Sequence, residues 1–234
     1  MNPLKTLSTV ELADELCTSH PELTRAISSA AYLHNGQTRS APRAGMKRPP
    51  YVEHPLRVAS RLSRIGAKDS DLLNSAVLHD VVEDCSEKIA TTKSAALVEL
   101  ATRFGETATS TIARLTINEE TTYMQQVSAA ISADPRALLV KVSDWIDNAG
   151  SLHHLPKLPT RLVKKYQPLA DVFLYELDHA SNEVDHLLQG NSQELQKKVV
   201  RVGERLIDLS RRSQHPDLAE GPAAQQSAQA RPAR

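Results

Sequence analysis

The stretch SAVLHDVVEDC, residues 75–85, places one histidine and three carboxylates inside an apolar run. If the stretch is one helix, His79 lies over Glu83, because residues four apart share a helix face. Asp80 and Asp84 share a face for the same reason. Burying four ionisable groups beside apolar residues is costly, and a divalent cation compensates their charge more strongly than a side chain does. Taken alone, such a His-Asp step is more typical of a capped or salt-bridged surface feature, and a metal site is the alternative that further ligands would favour.

Two distant segments supply further candidate ligands. His54 stands before a proline in YVEHP, at the start of a predicted helix, and Asp144 ends the apolar run in LLVKVSDWIDN. With His79 and Asp80 they form a set of two imidazoles and two carboxylates. Such a set suits Mn²⁺, Fe²⁺ or Mg²⁺ better than structural zinc, and four ligands leave coordination positions open.

The elements that must position these residues are predicted to be helices. Apolar residues recur at spacings of three and four, as in Leu56, Ala59, Leu62 and Ile65, and strands have almost no support. Ser8 with Glu11 predicts a capping box, Gly66 a helix end, and Asp69 or Ser70 the next helix start. We therefore expect an all-α fold. The predicted helices cover residues 9–18, 22–37, 54–65, 70–83, 93–104, 107–116, 121–133, 135–148, 160–188 and 192–212.

The domain prediction is one helical domain over residues 1–190, an amphipathic helix over 191–213 and a disordered tail over 214–234. The tail is rich in Pro, Gln and Ala and has too few large apolar groups to order. A Pro-, Gly- and Arg-rich stretch over residues 39–51 is predicted to be a loop. The last helix carries an apolar stripe that packs on its own domain or forms a homodimer seam. The stripe consists of Leu195, Val199, Val202, Leu206 and Leu209.

Composition excludes several classes of partner. The chain has 28 basic and 28 acidic residues, so no global field attracts it to nucleic acid or membranes. Its two cysteines lack zinc-site spacing and are too few for a disulfide framework, which fits a reducing compartment. No apolar run is long enough to span a bilayer. We therefore expect a cytoplasmic protein whose partner is a small molecule.

Four motifs together resemble a known family. AAYLHNGQTR, YVEHPLRVA, VLHDVVEDC and LLVKVSDWIDNAGSL occur in this order. The order H…HD…D resembles the HD-domain metal-dependent phosphohydrolases, and the fuller match is similar to the hydrolase domain of the RelA/SpoT homologues and to the small alarmone hydrolases. The resemblance covers about residues 30–177. It implies an HD-domain helical bundle with an extra C-terminal helix.

The resemblance also implies a metal and a pair of catalytic carboxylates. Family members bind one Mn²⁺ through the residues that match His54, His79, Asp80 and Asp144. Glu83 and Asp84 match the acidic pair that orients and deprotonates the attacking water. We favour Glu83 as the base, but the sequence does not separate the two assignments.

Substrate-binding residues follow from the same resemblance. Arg39 matches an arginine that stacks on the nucleobase, Asn148 and Ser151 match positions near the ribose and base, and Tyr166 resembles a tyrosine beside the phosphates. The phosphate charge needs cationic donors. Of the adjacent Lys164 and Lys165 at most one faces the pocket, and we assign Lys164. The other candidates are Arg39, Lys141 and Arg161.

The implied activity is cleavage of the 3′-diphosphate of guanosine tetra- or pentaphosphate, which gives GDP or GTP and pyrophosphate. Where RelA/SpoT enzymes have arginines, this chain has Trp145 and Gly150, and Ser40 replaces a lysine. Fewer cations weaken the case for so charged a substrate. The alternatives are therefore another nucleotide, such as an adenosine alarmone, NADPH or a nucleoside monophosphate, and a non-catalytic nucleotide-sensing module.

Three more residues near these motifs carry predictions. Asp147 is either a partner that orients a histidine ligand or an ordinary helix-surface carboxylate. His34 lies on an apolar stripe and is predicted to be a partly buried, hydrogen-bonded histidine rather than a ligand. Trp145 is adjacent to a predicted ligand and is expected to point away from the metal, into the core.

Overall fold

The computed structural model describes residues 3–39, 48–116, 122–152 and 160–214 of the chain. Within these ranges the chain contains helices and one isolated antiparallel bridge, Thr38 to Pro50, but no strand, so the all-α prediction is confirmed. Short 3₁₀ helices lie at Leu4–Thr6, Pro21–Leu23 and Ser86–Lys88. The α-helices are α1 (Thr9–Ser19), α2 (Thr24–Leu33), α3 (Glu53–Ile65), α4 (Ser70–Leu78), α5 (Val81–Cys85), α6 (Lys93–Phe104), α7 (Glu106–Leu115), α8 (Tyr123–Ala133), α9 (Pro135–Ala149), α10 (Thr160–Tyr166), α11 (Leu169–His179), α12 (Ser181–Leu187) and α13 (Ser192–Gln214).

Helix ends follow the local chemistry of the sequence. Ser8 and Glu11 form the predicted capping box at the start of α1, each side chain accepting from the other's backbone N–H. Gly66 ends α3 with φ of +114°, in the left-handed region that favours glycine. The Asp69 carboxylate accepts from the Leu72 N–H, 2.7 Å away, and starts α4. These predictions are confirmed.

The core is organised around α3 and α9, whose residues are mostly buried. Trp145 of α9 is 1% exposed and packs edge-on against Phe173 of α11, with ring centroids 5.5 Å apart. Its indole Nε1 donates to the Tyr166 carbonyl over 3.0 Å. The prediction that Trp145 points into the core is therefore confirmed. Because α3, α4 and α9 pack together, residues on them are held in fixed relative positions.

Three predicted helices are wrong in extent. The predicted helix 70–83 is interrupted at His79 and Asp80, which form a turn between α4 and α5. The predicted helix 22–37 ends at residue 33. The predicted helix 160–188 is divided into α10, α11 and α12; Pro168 lies at the first break, where its missing N–H and fixed φ favour a new helix start.

The apolar stripe of α13 packs within its own chain. Leu195, Val199 and Leu206 are fully buried, Val202 is 6% exposed, and Leu209 is partly buried against the same core. The stripe contacts α9, α10 and α11, so the first of the two alternatives for it is confirmed. A homodimer through α13 stays a prediction, and this buried stripe gives it no support. The division at residue 190 also stays a prediction.

Two other predictions fall partly or wholly outside the described residues. They are the disordered tail, whose residues beyond 214 are not described, and the loop over residues 39–51, of which residues 40–47 are not described. In the part of the chain that the structure does describe, no helix is both long and apolar enough to cross a membrane. The cytoplasmic location stays a prediction.

Candidate metal and nucleotide site

The four ligand candidates converge at one place. His54 comes from the first turn of α3, His79 and Asp80 from the turn between α4 and α5, and Asp144 from α9. The Nε2 atom of His54 lies 3.2 Å from Asp144 Oδ1 and 3.6 Å from Asp80 Oδ2. His79 Nε2 lies 3.2 Å from Asp80 Oδ1. One donor atom each from His54, His79 and Asp80 lies within 4.8 Å of the others, which is the spacing that a shared cation needs.

The turn at residues 79 and 80 explains this convergence. In a continuous helix successive side chains point about 100° apart, whereas here both side chains reach the same pocket. His79 Nδ1 donates to the Ala76 carbonyl over 2.9 Å, so Nε2 is the ring nitrogen that faces the carboxylates. This buried Nε2 has no hydrogen-bond partner within the described ranges. A buried ring nitrogen that faces two carboxylates fits a divalent cation, which would take the place of its proton.

The electrostatics of the pocket favour positive charge. Although burial lowers it, the carboxylates of Asp80 and Asp144 raise the pKa of the His79 imidazole to about 9. Burial opposes ionisation of Asp80, but the neighbouring His79 and His54 hold its pKa well below the usual value. The pKa of Asp144 is also lowered, against burial, chiefly by Lys141. Both carboxylates are therefore charged at neutral pH and ready to bind a cation.

Asp147 orients His54 from behind. The His54 Nδ1 atom donates to Asp147 Oδ2 over 2.8 Å, so Nε2 is directed at the other ligands. Asp147 is fully buried and also accepts from Arg57 at 2.9 and 3.1 Å and from Arg61 at 3.3 Å. Burial raises its pKa, but His54 and Arg57 hold the net pKa well below the ordinary value. Asp147 is therefore a buried hydrogen-bond partner of His54, and the surface alternative is wrong. That His54 is a metal ligand stays a prediction.

The predicted acidic pair lies on α5, directly after the turn. Glu83 and Asp84 are both exposed and follow Asp80 within one helical turn. Burial of its inner part and the charge of Asp80 raise the pKa of Asp84. Tyr51 lies on the same side and donates to Asp80 Oδ2 over 2.7 Å. The structure therefore places both residues on the short helix that directly follows the His79–Asp80 turn, with Asp84 close enough to Asp80 to respond to its charge.

Two predicted substrate residues meet at the edge of the cluster. Arg39 donates from Nη2 to Asn148 Oδ1 at 2.5 Å, and its Nη1 lies 3.5 Å from Asp147. The Asn148 amide donates in turn to Asp144 Oδ1. Ser151 is placed differently: its Oγ donates to the Asp147 carbonyl and accepts from Lys5 Nζ over 2.9 Å. The structure thus brings Arg39 and Asn148 to the ligands, whereas Ser151 is engaged by the N-terminal segment.

A cluster of lysines and tyrosines lies on the other side of Asp144. The buried Lys141 places its Nζ 3.0 Å from Asp144 Oδ2 and 5.8 Å from the Tyr123 ring centroid. Lys165 Nζ lies 3.8 Å from the same centroid, and Tyr166 follows it. Lys164 and Lys165 are both exposed on α10, but within the described residues Lys165 is the one that contacts the Tyr123 ring. This contact favours Lys165 over Lys164 for the predicted phosphate contact, which stays a prediction. Sequence reasoning missed Tyr123, because nothing local in its segment distinguishes it from a core aromatic.

His34 is a buried side chain beside this site rather than one of its ligands. It is 2% exposed, its Nδ1 lies 2.7 Å from Gln37 Oε1, and its ring lies 4.8 Å from the Tyr51 ring centroid. Its Nε2 has no hydrogen-bond partner within the described ranges. The predicted hydrogen bonding of His34 is therefore confirmed for one of its two ring nitrogens, and its burial is more complete than predicted.

A protein-family model described as the HD domain matches residues 26–173. The chain belongs to the HD-domain family. This HD domain is 31% identical over 137 residues to the mouse protein named guanosine-3′,5′-bis(diphosphate) 3′-pyrophosphohydrolase MESH1, a match that covers 56% of this chain and 70% of that protein. An Aquifex aeolicus protein named guanosine-3′,5′-bis(diphosphate) 3′-pyrophosphohydrolase is 29% identical over 186 residues.

The lengths of these relatives differ. The match covers 73% of this chain but only 25% of the Aquifex protein, so the HD domain spans about a quarter of that relative. The solved structure titled as a metazoan ortholog of SpoT that hydrolyzes ppGpp superimposes with a TM-score of 0.56 and 23% identity. It covers 79% of this chain and 94% of that one, which shows a shared fold. The predicted HD-domain bundle is therefore confirmed.

Proposed function

We propose that this HD domain is a metal-dependent hydrolase that removes the 3′-diphosphate from guanosine tetra- or pentaphosphate, with GDP or GTP and pyrophosphate as products. The observation that carries the proposal is the pocket in which two imidazoles and two carboxylates meet beside an acidic pair. Relatives whose names state this activity support it. A binding module has no need of a water-activating pair next to the cation ligands.

We propose that His54, His79, Asp80 and Asp144 would hold one Mn²⁺. Two imidazole nitrogens and two carboxylates suit Mn²⁺ or Fe²⁺, and the unpartnered Nε2 of His79 supports a ligand there. Such an ion supplies Lewis acidity toward a phosphate oxygen and lowers the pKa of its bound water. Asp147 fixes the imidazole of His54 in the productive tautomer.

The acidic pair handles the proton of the attacking water. The new bond forms between the water oxygen and the phosphorus attached to the ribose 3′ oxygen. The bond between that phosphorus and the 3′ oxygen breaks, and the 3′ oxygen becomes a hydroxyl by taking up a proton from solvent. We propose that a carboxylate oxygen of Glu83 takes the water proton, and that Asp84 holds the water or shares the proton. The raised pKa of Asp84 supports a part in proton transfer, because a base works best when its pKa approaches the working pH.

Cations on both sides of the ligand cluster supply the substrate contacts. We propose that Arg39 and Asn148, which already bond to each other, receive the nucleoside. Lys141 and Lys165, held against Tyr123, lie on the other side of Asp144 and would neutralise the diphosphate oxygens, with Tyr166 beside them. Part of the cationic charge that is missing at Trp145 and Gly150 is thus provided by Lys141, on α9 itself, and by Lys165 on α10.

The first test compares substrates on the Mn²⁺-loaded protein. Guanosine tetraphosphate, an adenosine alarmone, NADPH and nucleoside monophosphates are incubated separately, and the products are resolved by chromatography. The proposal expects GDP and pyrophosphate from guanosine tetraphosphate. Release of orthophosphate alone, or turnover confined to another nucleotide, would contradict the substrate assignment.

The second test separates the metal ligands from the acidic pair. Asp80→Ala and Asp144→Ala should lose bound metal and activity together. Glu83→Gln should keep metal and nucleotide but slow turnover by about 10²–10⁴-fold, as expected for a lost general base. Glu183→Gln, an exposed carboxylate on α12, is the matched control and should leave both unchanged. A fully active variant without metal would refute the site, and unchanged turnover in Glu83→Gln would move the base to another residue.

A further inference from the structure

A second cavity, of about 760 Å³, opens between the N-terminal 3₁₀ segment, the last turns of α3 and the face of α13. None of the proposed metal ligands lines it. Its volume lies within the range of small-molecule sites. Its charged lining consists of Lys5, Arg61, Arg64, Lys198, Arg205 and Glu194.

The charge of this lining is not balanced locally. Arg64 is paired with Glu15 and Arg61 with Asp147, while Glu194 is occupied by Lys197, 2.8 Å away. In the described part of the chain, neither Lys198 nor Arg205 forms a salt bridge. The concentration of cations is local, because the whole chain has a formal charge of zero.

The lysines of the cavity show the same positive potential. Burial, together with the guanidinium groups of Arg61 and Arg205, lowers the pKa of Lys5 to about 8 against the opposing charge of Asp147. Burial and the charge of Arg61 likewise lower the pKa of Lys198. Lys5 Nζ donates to the Gly150 carbonyl over 2.8 Å and to a hydroxyl, and these neutral acceptors do not cancel its charge. An anion bound in the cavity would neutralise the charge of Lys5.

We propose that this cavity is a binding site for an anion that carries two or more phosphoryl groups. Lys5, Lys198 and Arg205 line one cavity from two separate elements, and their charge exceeds that of Glu194, the one carboxylate in the described lining. This excess matches a multiply charged ligand better than chloride or a single carboxylate. Arg61 forms the inner wall with its guanidinium fixed on Ser143 and Asp147. The concave shape favours a small molecule over a macromolecular surface.

The proposed site is connected to the metal pocket but does not depend on the proposed hydrolase activity. Arg61 bonds to Asp147, which accepts from His54, so a ligand on Arg61 lies two contacts from a proposed metal ligand. Because Arg61 and Asp147 also support that pocket, variants of them would not test the cavity alone. Within the described residues, Lys198 and Arg205 form no hydrogen bond or ion pair with either of them, so these two residues test the cavity itself.

The test uses inorganic pyrophosphate as the probe, with orthophosphate for comparison. Calorimetric titrations are carried out on the full chain carrying Asp80→Ala in the presence of a chelator, so that the metal pocket does not contribute. The added variant pair Lys198→Gln with Arg205→Gln should weaken pyrophosphate binding by about tenfold or more, since two charge-assisted contacts are lost. Arg211→Gln with Arg212→Gln, two exposed residues in the last turn of α13 that do not line the cavity, is the matched control and should stay within about twofold.

Hydrogen exchange locates the bound probe. Protection on pyrophosphate addition should be confined to residues 3–7, 61–66 and 191–205. Equal affinity in the cavity variant and the control, absence of saturable binding, or protection around residues 54, 80 and 144 instead would overturn the proposal. The hydrolase activity of the same two variant pairs, in a chain that keeps Asp80, is measured in a separate assay. A failed anion site therefore leaves the proposed function standing.

Discussion

Replacing Asp147 by asparagine tests how the metal pocket is supported. Asp147 is fully buried and accepts from His54 and from two arginines at 2.8–3.3 Å. The substitution Asp147→Asn would keep the shape of the side chain but remove its negative charge. One carboxylate oxygen would become an amide that donates, so it would face the donors of Arg57 or His54.

The magnitude follows from the burial of these charges. Removing one partner of a buried ion pair costs about 3–5 kcal/mol of folding stability, because the remaining charges stay desolvated and unpaired. Arg57 and Arg61 are both mostly buried, so water does not replace the lost carboxylate. Loss of the hydrogen bond that orients a metal-binding histidine typically weakens the metal by about 10–100-fold. We expect Asp147→Asn to show both effects.

Two measurements on the same variant separate these effects. Urea denaturation of the metal-free protein gives the change in the free energy of unfolding, and Mn²⁺ titration under native conditions gives the change in affinity. Asp178→Asn, an exposed carboxylate on α11, is the control and should change stability by less than about 0.5 kcal/mol. A double-mutant cycle with Arg57→Leu should give a coupling of about 0.5–3 kcal/mol.

Two results would refute this reasoning. A loss of less than about 1 kcal/mol would mean that Asp147 does not compensate the two buried arginines. An unchanged Mn²⁺ affinity in a variant that is folded would mean that the Asp147 contact does not set the orientation of His54. Because a strongly destabilised variant unfolds easily, the affinity is measured only where circular dichroism shows native helix content.

Three further predictions concern substrate binding, backbone conformation and pH. Lys165→Gln should raise KM for guanosine tetraphosphate by about 3–10-fold, whereas Lys164→Gln should not, and equal effects in steady-state kinetics would reject the reassignment. Gly66→Ala should lower the free energy of unfolding by about 1–3 kcal/mol, because φ is +114° and the added Cβ would lie 2.7 Å from a carbonyl oxygen. An unchanged denaturation midpoint would contradict this prediction. Arg136→Met should cost about 1 kcal/mol at neutral pH. Burial raises the pKa of Asp69, but the hydrogen bond from Arg136 lowers the net value. The pair therefore stabilises the protein above about pH 4, and this stabilisation is lost as the pH falls through the lowered pKa. Denaturation curves of the wild type and Arg136→Met that stay equally separated in acid would contradict this.

Local features of the fold were predictable from the sequence. The spacing of apolar residues gives the helices, because a period of about 3.6 is set by the backbone within a few residues. Caps at Ser8 and Asp69 and the stop at Gly66 are equally local. The breaks at residues 79–80 and 180 were missed, since tertiary packing decides whether a helix-compatible segment continues or turns.

The sequence by itself determined the chemical types in the site: two histidines, several carboxylates and an order of motifs that is typical of the HD-domain family. Only the tertiary structure decided which of these groups meet. His54 and Asp144 are 90 positions apart, and their 3.2 Å contact depends on how α3 packs on α9. The burial of Asp147 between two arginines, the choice of Lys165 over Lys164 and the basic cavity behind α3 have the same origin. Charges on separate helices interact according to their distance in space and their burial, and the spacing of residues within a motif determines neither.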